Sequence, residues 1–227
     1  MLIFLPILLP IFGGALVLFF QFRQRKWRQL YVTLVVSLTT LISLGLIIWG
    51  PKEEIITVLR FSQKLPLAFR IDGMATVFGS LVAALWPLAT CYAFEYMKHE
   101  GRENKFFAFY TITFGITLGI AFAANILTLY LFYELLTLVT FPLVIHTMDQ
   151  RAITAGRTYI IYSMSGAALI FIGLIFIITY GSSIDFVYGG VFSPQAIAKY
   201  GDILSQVYVL TFFGFGVKAA LFPMQQW

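Results

Sequence analysis

The sequence predicts an all-α polytopic membrane protein with about seven transmembrane helices. Of its 227 residues, 60% are hydrophobic and only 11% are charged, whereas soluble globular chains carry about 25% charged residues. The apolar runs are continuous, as in helices, and lack the polar alternation of strands in a transmembrane barrel. The same composition excludes intrinsic disorder. One cysteine and two histidines exclude a disulfide framework and argue against a metal site.

Seven stretches reach the roughly 20 apolar residues that a helix needs to cross the hydrocarbon core. They are residues 2–20, 30–50, 73–94, 106–124, 126–146, 159–180 and 204–226. The first stretch has no basic residue before it and no cleavage site after it, so we interpret it as a membrane helix and not as a signal peptide. Asp72 precedes the third stretch and is expected to cap its N-terminus.

Basic residues in the connections predict the orientation of the helices. The connections after helices one, three and five contain nine lysines and arginines, and the connections on the other side contain five. Because basic residues in short loops favour the cytoplasmic side, we expect the N-terminus outside. We expect the chain to lie in the cell (inner or plasma) membrane, in contact with the lipid bilayer. Nucleic acid is not an expected partner.

Two connections on the outer side differ in character. Residues 51–72 contain two short β-prone runs separated by polar residues, which predicts a small hairpin between helices two and three. Residues 181–203 contain glycine, serine and proline and are predicted to form an irregular loop.

Glu134 is an ionisable residue inside an apolar stretch, about 12 Å from the start of helix five. A carboxylate at that depth costs several kcal/mol unless it is protonated, paired or hydrated, so such residues usually face the bundle interior. It is either a protonated glutamate with one interhelical hydrogen bond, or a group that gains and loses a proton during transport. We favour the second interpretation because intramembrane ionisable residues are by default functional candidates.

Lys218 is the second ionisable residue at membrane depth, about 14 residues into helix seven. Its ammonium group either snorkels to an interface or lies at a functional site. Gly214, Gly216 and Pro223 surround it and predict a weakened or broken helix, and such discontinuous helices often mark ion sites. A Glu–Lys pair with adjustable coupling is a device for handling protons, although the sequence leaves open whether the two side chains touch.

Several weaker candidates accompany this pair. Pro142 predicts a kink in helix five. His146 closes that helix and acts either as a proton relay or as a capping or interface residue. The remaining hydroxyl side chains either support a hydrated path or serve as ordinary packing partners: Tyr130, Tyr133, Thr137 and Thr140.

Four segments match, in order, the motifs of one known family. They are residues 71–75 (an Asp-Gly helix start), 125–135 (a pattern ending at a glutamate), 155–173 (the entry into helix six) and 216–227 (Lys, Pro and Trp). In these segments the chain resembles the N-terminal half of the proton-translocating, antiporter-like membrane subunits. That family includes the large membrane-arm subunits of respiratory complex I, the equivalent hydrogenase subunits, and the D and A subunits of Mrp-type antiporters.

The resemblance implies roles for particular residues. Glu134 aligns with the family's helix-five glutamate, and Lys218 with the helix-seven lysine that this glutamate modulates. Gln225 stands where the family usually has a histidine and is kept as a candidate support. The family has about fourteen helices in two inverted repeats, so residues 1–105 are expected to hold helices one to three. Residues 106–227 are then an incomplete first repeat, in either a natural half-subunit or a truncated chain.

The predicted function is therefore translocation of protons, or of sodium ions, by a membrane subunit. Its context is a redox-driven respiratory or hydrogenase-type complex or a multisubunit cation/proton antiporter, with other membrane subunits as partners. No cofactor is expected in this chain, and any redox chemistry would belong to the partners. Two alternatives stay open: a structural or assembly half-subunit without transport, and a solute transporter, which needs a polar pocket.

Overall fold

The structure, a computed structural model, describes residues 2–62 and 65–225, which form seven α-helices and a two-stranded sheet. The helices are α1 (Leu5–Phe20), α2 (Arg25–Trp49), α3 (Gly73–Tyr96), α4 (Glu103–Ala121), α5 (Ile126–Val144), α6 (Gln150–Tyr180) and α7 (Pro194–Lys218). Five of them are long and apolar enough to cross a membrane: α1 with the 3-10 turn before it, α2, α3, α5 and α6. The polytopic helical membrane fold is confirmed. That α4 and α7 also cross, and which side faces the cytoplasm, stay predictions.

Side-chain caps set four of the helix starts. Asp72, Asn125, Asp149 and Ser193 each accept a hydrogen bond from the backbone N–H three residues later, at 2.6 to 3.2 Å. Such caps satisfy backbone donors that have no partner within the helix. The predicted cap at Asp72 is confirmed.

Two helix starts differ from the predictions. α6 begins at Gln150 and α7 at Pro194, whereas the apolar stretches predicted starts at 159 and 204. The prediction of an irregular loop is therefore wrong for residues 194–203. A serine cap followed by proline at the first helical position is a helix start, and a search for apolar runs misses helical turns that are polar.

Neighbouring helices pack in a continuous order through the bundle. α1 packs against α2 and α4, α2 against α3, α4 against α5, α5 against α6, and α6 against α7. The main hydrophobic core lies among α1 to α4 and includes the fully buried side chains of Ile7, Met97, Phe107, Phe114 and Leu118.

The predicted hairpin is confirmed as β1 (Ile56–Ser62) and β2 (Leu65–Phe69), which pair antiparallel. The backbone of Ala68 in β2 contacts both the first turn of α5 and the connection that precedes it. Its N–H donates to Thr128 Oγ1 at 2.9 Å and its carbonyl accepts from Ala124 N at 3.0 Å. Asn125 Nδ2 also donates to the carbonyl of Pro66 at 2.9 Å. The hairpin therefore fixes the beginning of α5.

A buried charge cluster ties the opposite end of the bundle. Arg28, only 5% exposed, forms an ion pair with Glu103 and donates to Asn104 Oδ1 at 3.2 Å. Arg25 donates to the carbonyl of Phe94 at 2.7 Å. These contacts join the start of α2 to the start of α4 and to the end of α3.

α6 and α7 approach each other closely through glycines. A Cβ atom on Gly166 would lie 2.8 Å from the carbonyl oxygen of Gly214, and one on Gly214 would lie 2.7 Å from that of Gly166. Small residues permit such close contact between membrane helices. α7 remains helical through Gly214 and Gly216 as far as Lys218, so the break predicted at these glycines is wrong: Gly214 serves close packing instead.

Candidate functional site

Lys218, the last residue of α7, reaches across to the middle of α5. Its Nζ donates a hydrogen bond to the backbone carbonyl of Tyr133 at 2.6 Å and lies 3.5 Å from the centroid of the Tyr133 ring. Phe215 packs edge-to-face on the same ring, with 5.5 Å between centroids. A carbonyl oxygen and an aromatic face both stabilise an ammonium ion, so this position suits a protonated lysine.

Glu134 follows Tyr133 directly and is half-buried. The ion pairs of the described residues lie elsewhere in the chain, and none joins Glu134 to Lys218. The two groups are nevertheless near enough to interact through their charges. The structure thus brings the two predicted residues to the same level of the bundle, with Tyr133 as the direct contact of Lys218.

Hydroxyl groups continue from this contact along the next turns of α5. Thr137 Oγ1 donates a hydrogen bond to the carbonyl of Tyr133 at 3.4 Å. The same carbonyl accepts the hydrogen bond from Lys218 Nζ. Thr140 Oγ1 lies 3.3 Å from the carbonyl of Thr137 and 2.6 Å from the hydroxyl of Tyr159 on α6. A run of polar contacts therefore extends from Lys218 toward the C-terminal end of α5. Tyr130 lies outside this run and packs against Phe171, with 5.6 Å between ring centroids.

Three buried polar atoms near this run have no hydrogen-bond partner within the described residues. They are the Tyr133 hydroxyl, Glu134 Oε1 and Ser163 Oγ. A buried group in this condition costs about 1–3 kcal/mol, and native proteins retain few of them. Their concentration on α5 and α6 identifies this part of the bundle as a functional candidate.

Sequence reasoning missed Tyr159 and Ser163. Both are buried on α6, at 7% and 1% exposure, and their spacing of four residues places them on one face of the helix. Together with Gly156, Gly166 and Gly173 they form a stripe of small and polar residues, which is the signal that was available in the sequence.

His146 lies apart from Glu134, twelve residues farther along the chain and just beyond the end of α5. Its Nδ1 is 2.9 Å from the carbonyl of Leu143, and its ring packs edge-to-face on Phe106. His146 also lines a cavity of about 180 Å³, which we call the basic cavity. Its lining residues are Arg102, Lys105, Phe109, Pro142, Ile145, His146 and Met148.

The other predicted positions lie outside the Lys218 contact. Pro142 is within α5, which stays helical for two more residues. Pro223 and Gln225 are exposed in the turns that follow α7, and no hydrogen bond of the described residues joins Gln225 to Glu134 or Lys218. A cavity of about 580 Å³ lies beside the hairpin and is lined in part by Arg70. Neither Glu134 nor Lys218 lines this cavity. No group of three metal-ligating side chains occurs within residues 2–62 and 65–225.

Comparison with known proteins gives a consistent result. Residues 123–227 match the family described as NADH:quinone oxidoreductase/Mrp antiporter, transmembrane. The chain is 28% identical, over 97% of its length, to a probable K⁺/H⁺ antiporter component of Rhizobium meliloti. It is 26% identical, over 71% of its length, to hydrogenase-4 component B of Escherichia coli. One chain of the membrane-bound sulfane sulfur reductase, an archaeal respiratory membrane complex, shares the fold over 98% of the present chain, with a TM-score of 0.77 and 20% identity.

The chain spans only part of these proteins. It covers 22% and 24% of the two relatives and 46% of the solved chain. The match to the family model includes Glu134, Tyr133 and Lys218, and the relatives extend the similarity to the preceding helices. Over residues 123–227 the chain is therefore similar to the membrane subunits of NADH:quinone oxidoreductases and Mrp antiporters, and its fold resembles that of a respiratory membrane subunit.

Proposed function

We propose that this chain is an ion-translocating membrane subunit in which Lys218 carries a proton and Glu134 controls its charge. The observation that carries the proposal is the contact of Lys218 Nζ with the Tyr133 carbonyl, one residue from Glu134 and without a direct ion pair. A locked ion pair would resist a change in either charge, because removing one partner of a buried pair is costly. The charges of Lys218 and Glu134 influence each other, but no direct ion pair holds the two side chains together.

A closer approach of the two groups would change the protonation of Lys218. Two unit charges 4 Å apart interact by about 4 kcal/mol at the effective dielectric constant of a protein. Movement of the ammonium group from the Tyr133 carbonyl toward the Glu134 carboxylate would therefore favour the charged pair. Movement away, or protonation of Glu134, would favour release of the lysine proton. The Thr137, Thr140 and Tyr159 hydroxyls offer such a proton a path along α5.

The names of the relatives support the wider setting of the proposal. They are components of antiporters and of a hydrogenase, so we propose protons or sodium ions as the cargo and other membrane subunits as partners. We place the chain in the cell membrane with its N-terminus outside. Cysteines introduced at Gln24 and Ser62 in a Cys91→Ser background should then be labelled from the cytoplasm and from outside, respectively. The opposite pattern would reverse the orientation.

The test is the variant Glu134→Gln, which keeps the size of the side chain and removes its charge. In the assembled complex, reconstituted in vesicles with a pH-sensitive dye, we expect at least a tenfold loss of proton translocation with normal assembly. A neutral amide is cheaper than a carboxylate at membrane depth, so the fold should survive.

A matched control separates the site from a general charge effect. Glu54 is an exposed glutamate before β1, and Glu54→Gln should translocate at the rate of the unaltered protein. Unaltered translocation by Glu134→Gln would refute the role of Glu134. A normally assembled complex that translocates no ions in any variant, including the unaltered one, would favour a structural role.

A further inference from the structure

We propose that the basic cavity binds the phosphate of an anionic lipid headgroup. This inference concerns a site separate from Glu134 and Lys218 and is independent of the proposed function. The cavity lies between the start of α4 and the end of α5, where two helices leave the apolar part of the bundle. Basic pockets between membrane helices at such interfaces recognise anionic headgroups.

The charge of the lining is positive without compensation. Arg102 and Lys105 line the cavity together with His146, and no acidic side chain does. No ion pair of the described residues involves Arg102 or Lys105. The nearest acid in sequence, Glu103, is engaged by Arg28. Two cationic side chains are therefore left to attract an anion.

The histidine adds a polar atom to the same lining. Nδ1 of His146 lies 2.9 Å from the carbonyl of Leu143, and because a carbonyl only accepts, Nδ1 must carry the hydrogen. Nε2 is buried and has no partner within the described residues. In the doubly protonated ring His146 would add a third positive charge to the lining, beside Arg102 and Lys105.

The remaining lining suits a lipid better than free phosphate. Phe109, Pro142, Ile145 and Met148 give the cavity apolar walls beside its charged rim. Free phosphate gains nothing from an apolar wall, whereas the glycerol and first methylenes of a lipid bury apolar surface there. About 180 Å³ holds a headgroup phosphate but not a whole lipid, so the acyl chains would extend along the outside of the bundle.

The test measures lipid binding to the complete protein, purified in mild detergent, by native mass spectrometry. The probes are phosphatidylglycerol, phosphatidylcholine and inorganic phosphate. The variant is Arg102→Gln with Lys105→Gln. The control is Arg23→Gln with Lys26→Gln, which removes two exposed charges from the α1–α2 connection and the first turn of α2, on the same side of the bundle.

We expect the Arg102/Lys105 variant to bind phosphatidylglycerol about 30-fold more weakly, because each basic side chain near an anionic headgroup contributes about fivefold. The control should change less than threefold, and phosphatidylcholine should bind weakly to all three proteins. His146→Ala should cause a smaller loss. Equal binding of the two lipids, or an equal loss in the control, would overturn the proposal. Displacement of phosphatidylglycerol by inorganic phosphate at similar concentrations would overturn the lipid as the ligand.

Discussion

The region of α1 to α4 and the region of α5 to α7 are built on different principles. In the first, large apolar side chains such as Phe107 and Phe114 fill the interior, and the buried Arg28 has a charged partner in Glu103. In the second, the buried positions of α6 are often small or polar, and a lysine and a glutamate lie at the same level without an ion pair. The buried charge of the first region is held in an ion pair, whereas no ion pair holds the lysine and the glutamate of the second region together.

Unpartnered polar atoms sharpen this contrast. In the first region and its connections, the buried atoms without a hydrogen-bond partner in the described residues are the Trp86 indole nitrogen and the Nε atoms of Arg25, Arg28 and Arg70. The terminal nitrogens of these three arginines are hydrogen-bonded. In α5 and α6 they are one carboxylate oxygen and two hydroxyl groups, which can exchange protons or bind water. The difference fits the proposal that places proton transfer in α5 to α7, with α1 to α4 as its support.

The largest expected loss of stability comes from removing the carboxylate of the charge cluster in the first region. Glu103→Ala leaves Arg28 buried without its carboxylate, and we expect a loss of about 3 kcal/mol in the free energy of unfolding. Unfolding of the purified protein in detergent measures it. Glu54→Ala, at an exposed position, should leave stability unchanged, and Arg28→Met with Glu103→Leu should restore it. A loss for Glu103→Ala no larger than for Glu54→Ala would mean that the cluster does not stabilise this region.

A smaller effect is expected at the α6–α7 contact. Gly166→Ala would place a methyl group against the Gly214 backbone, which cannot yield as a side chain can, and should cost about 2 kcal/mol. Gly45→Ala is the control, because its new methyl group would lie 3.9 Å from the Trp49 ring, an ordinary contact. It should be neutral or slightly stabilising. Equal stability of the two variants, measured by the same unfolding assay, would show that α6 and α7 do not pack through these glycine backbones.

The smallest expected effect compares two buried hydroxyls. Thr128 Oγ1 accepts from Ala68 N and donates to Asn125 Oδ1, so Thr128→Val should cost about 1 kcal/mol or more. Ser163 Oγ has no partner within the described residues, so Ser163→Ala should cost nothing. Melting temperatures of the two variants against the unaltered protein provide the measurement. If Ser163→Ala costs as much as Thr128→Val, its hydroxyl is paired and the contrast between the regions weakens.

Composition and local patterns predicted much of this molecule. Continuous apolar runs located the seven α-helices of the described residues, and Asp72 and the two β-prone runs located a cap and the hairpin. The polar beginnings of α6 and α7 were missed, because residues 150–158 and 194–203 form helix without an apolar run. Their signals were caps, Asp149 and Ser193, which are weaker than a hydrophobic pattern.

The site was predictable only in part, for a physical reason. Glu134 and Lys218 are recognisable because a charge in an apolar stretch is costly. The direct partner of Lys218 is a backbone carbonyl, and every residue has one, so no sequence pattern identifies it. Glycine is equally ambiguous: Gly214 is compatible with a helix break and with a close helix contact, and only the position of α6 decides between them.

The hairpin holds α5 at its first turn. Asn125 and Thr128 clamp its first turn to β2, and the contact with Lys218 lies about 8 Å farther along, at Tyr133. A tilt started at Tyr133 therefore produces little displacement at the clamp and increasing displacement toward Pro142, whose missing N–H softens the last turn. The end of α5 beside the basic cavity is about 24 Å from Thr128 and would be displaced most. A change in the Lys218–Tyr133 contact would consequently displace α5 most at the surface of the bundle opposite the hairpin.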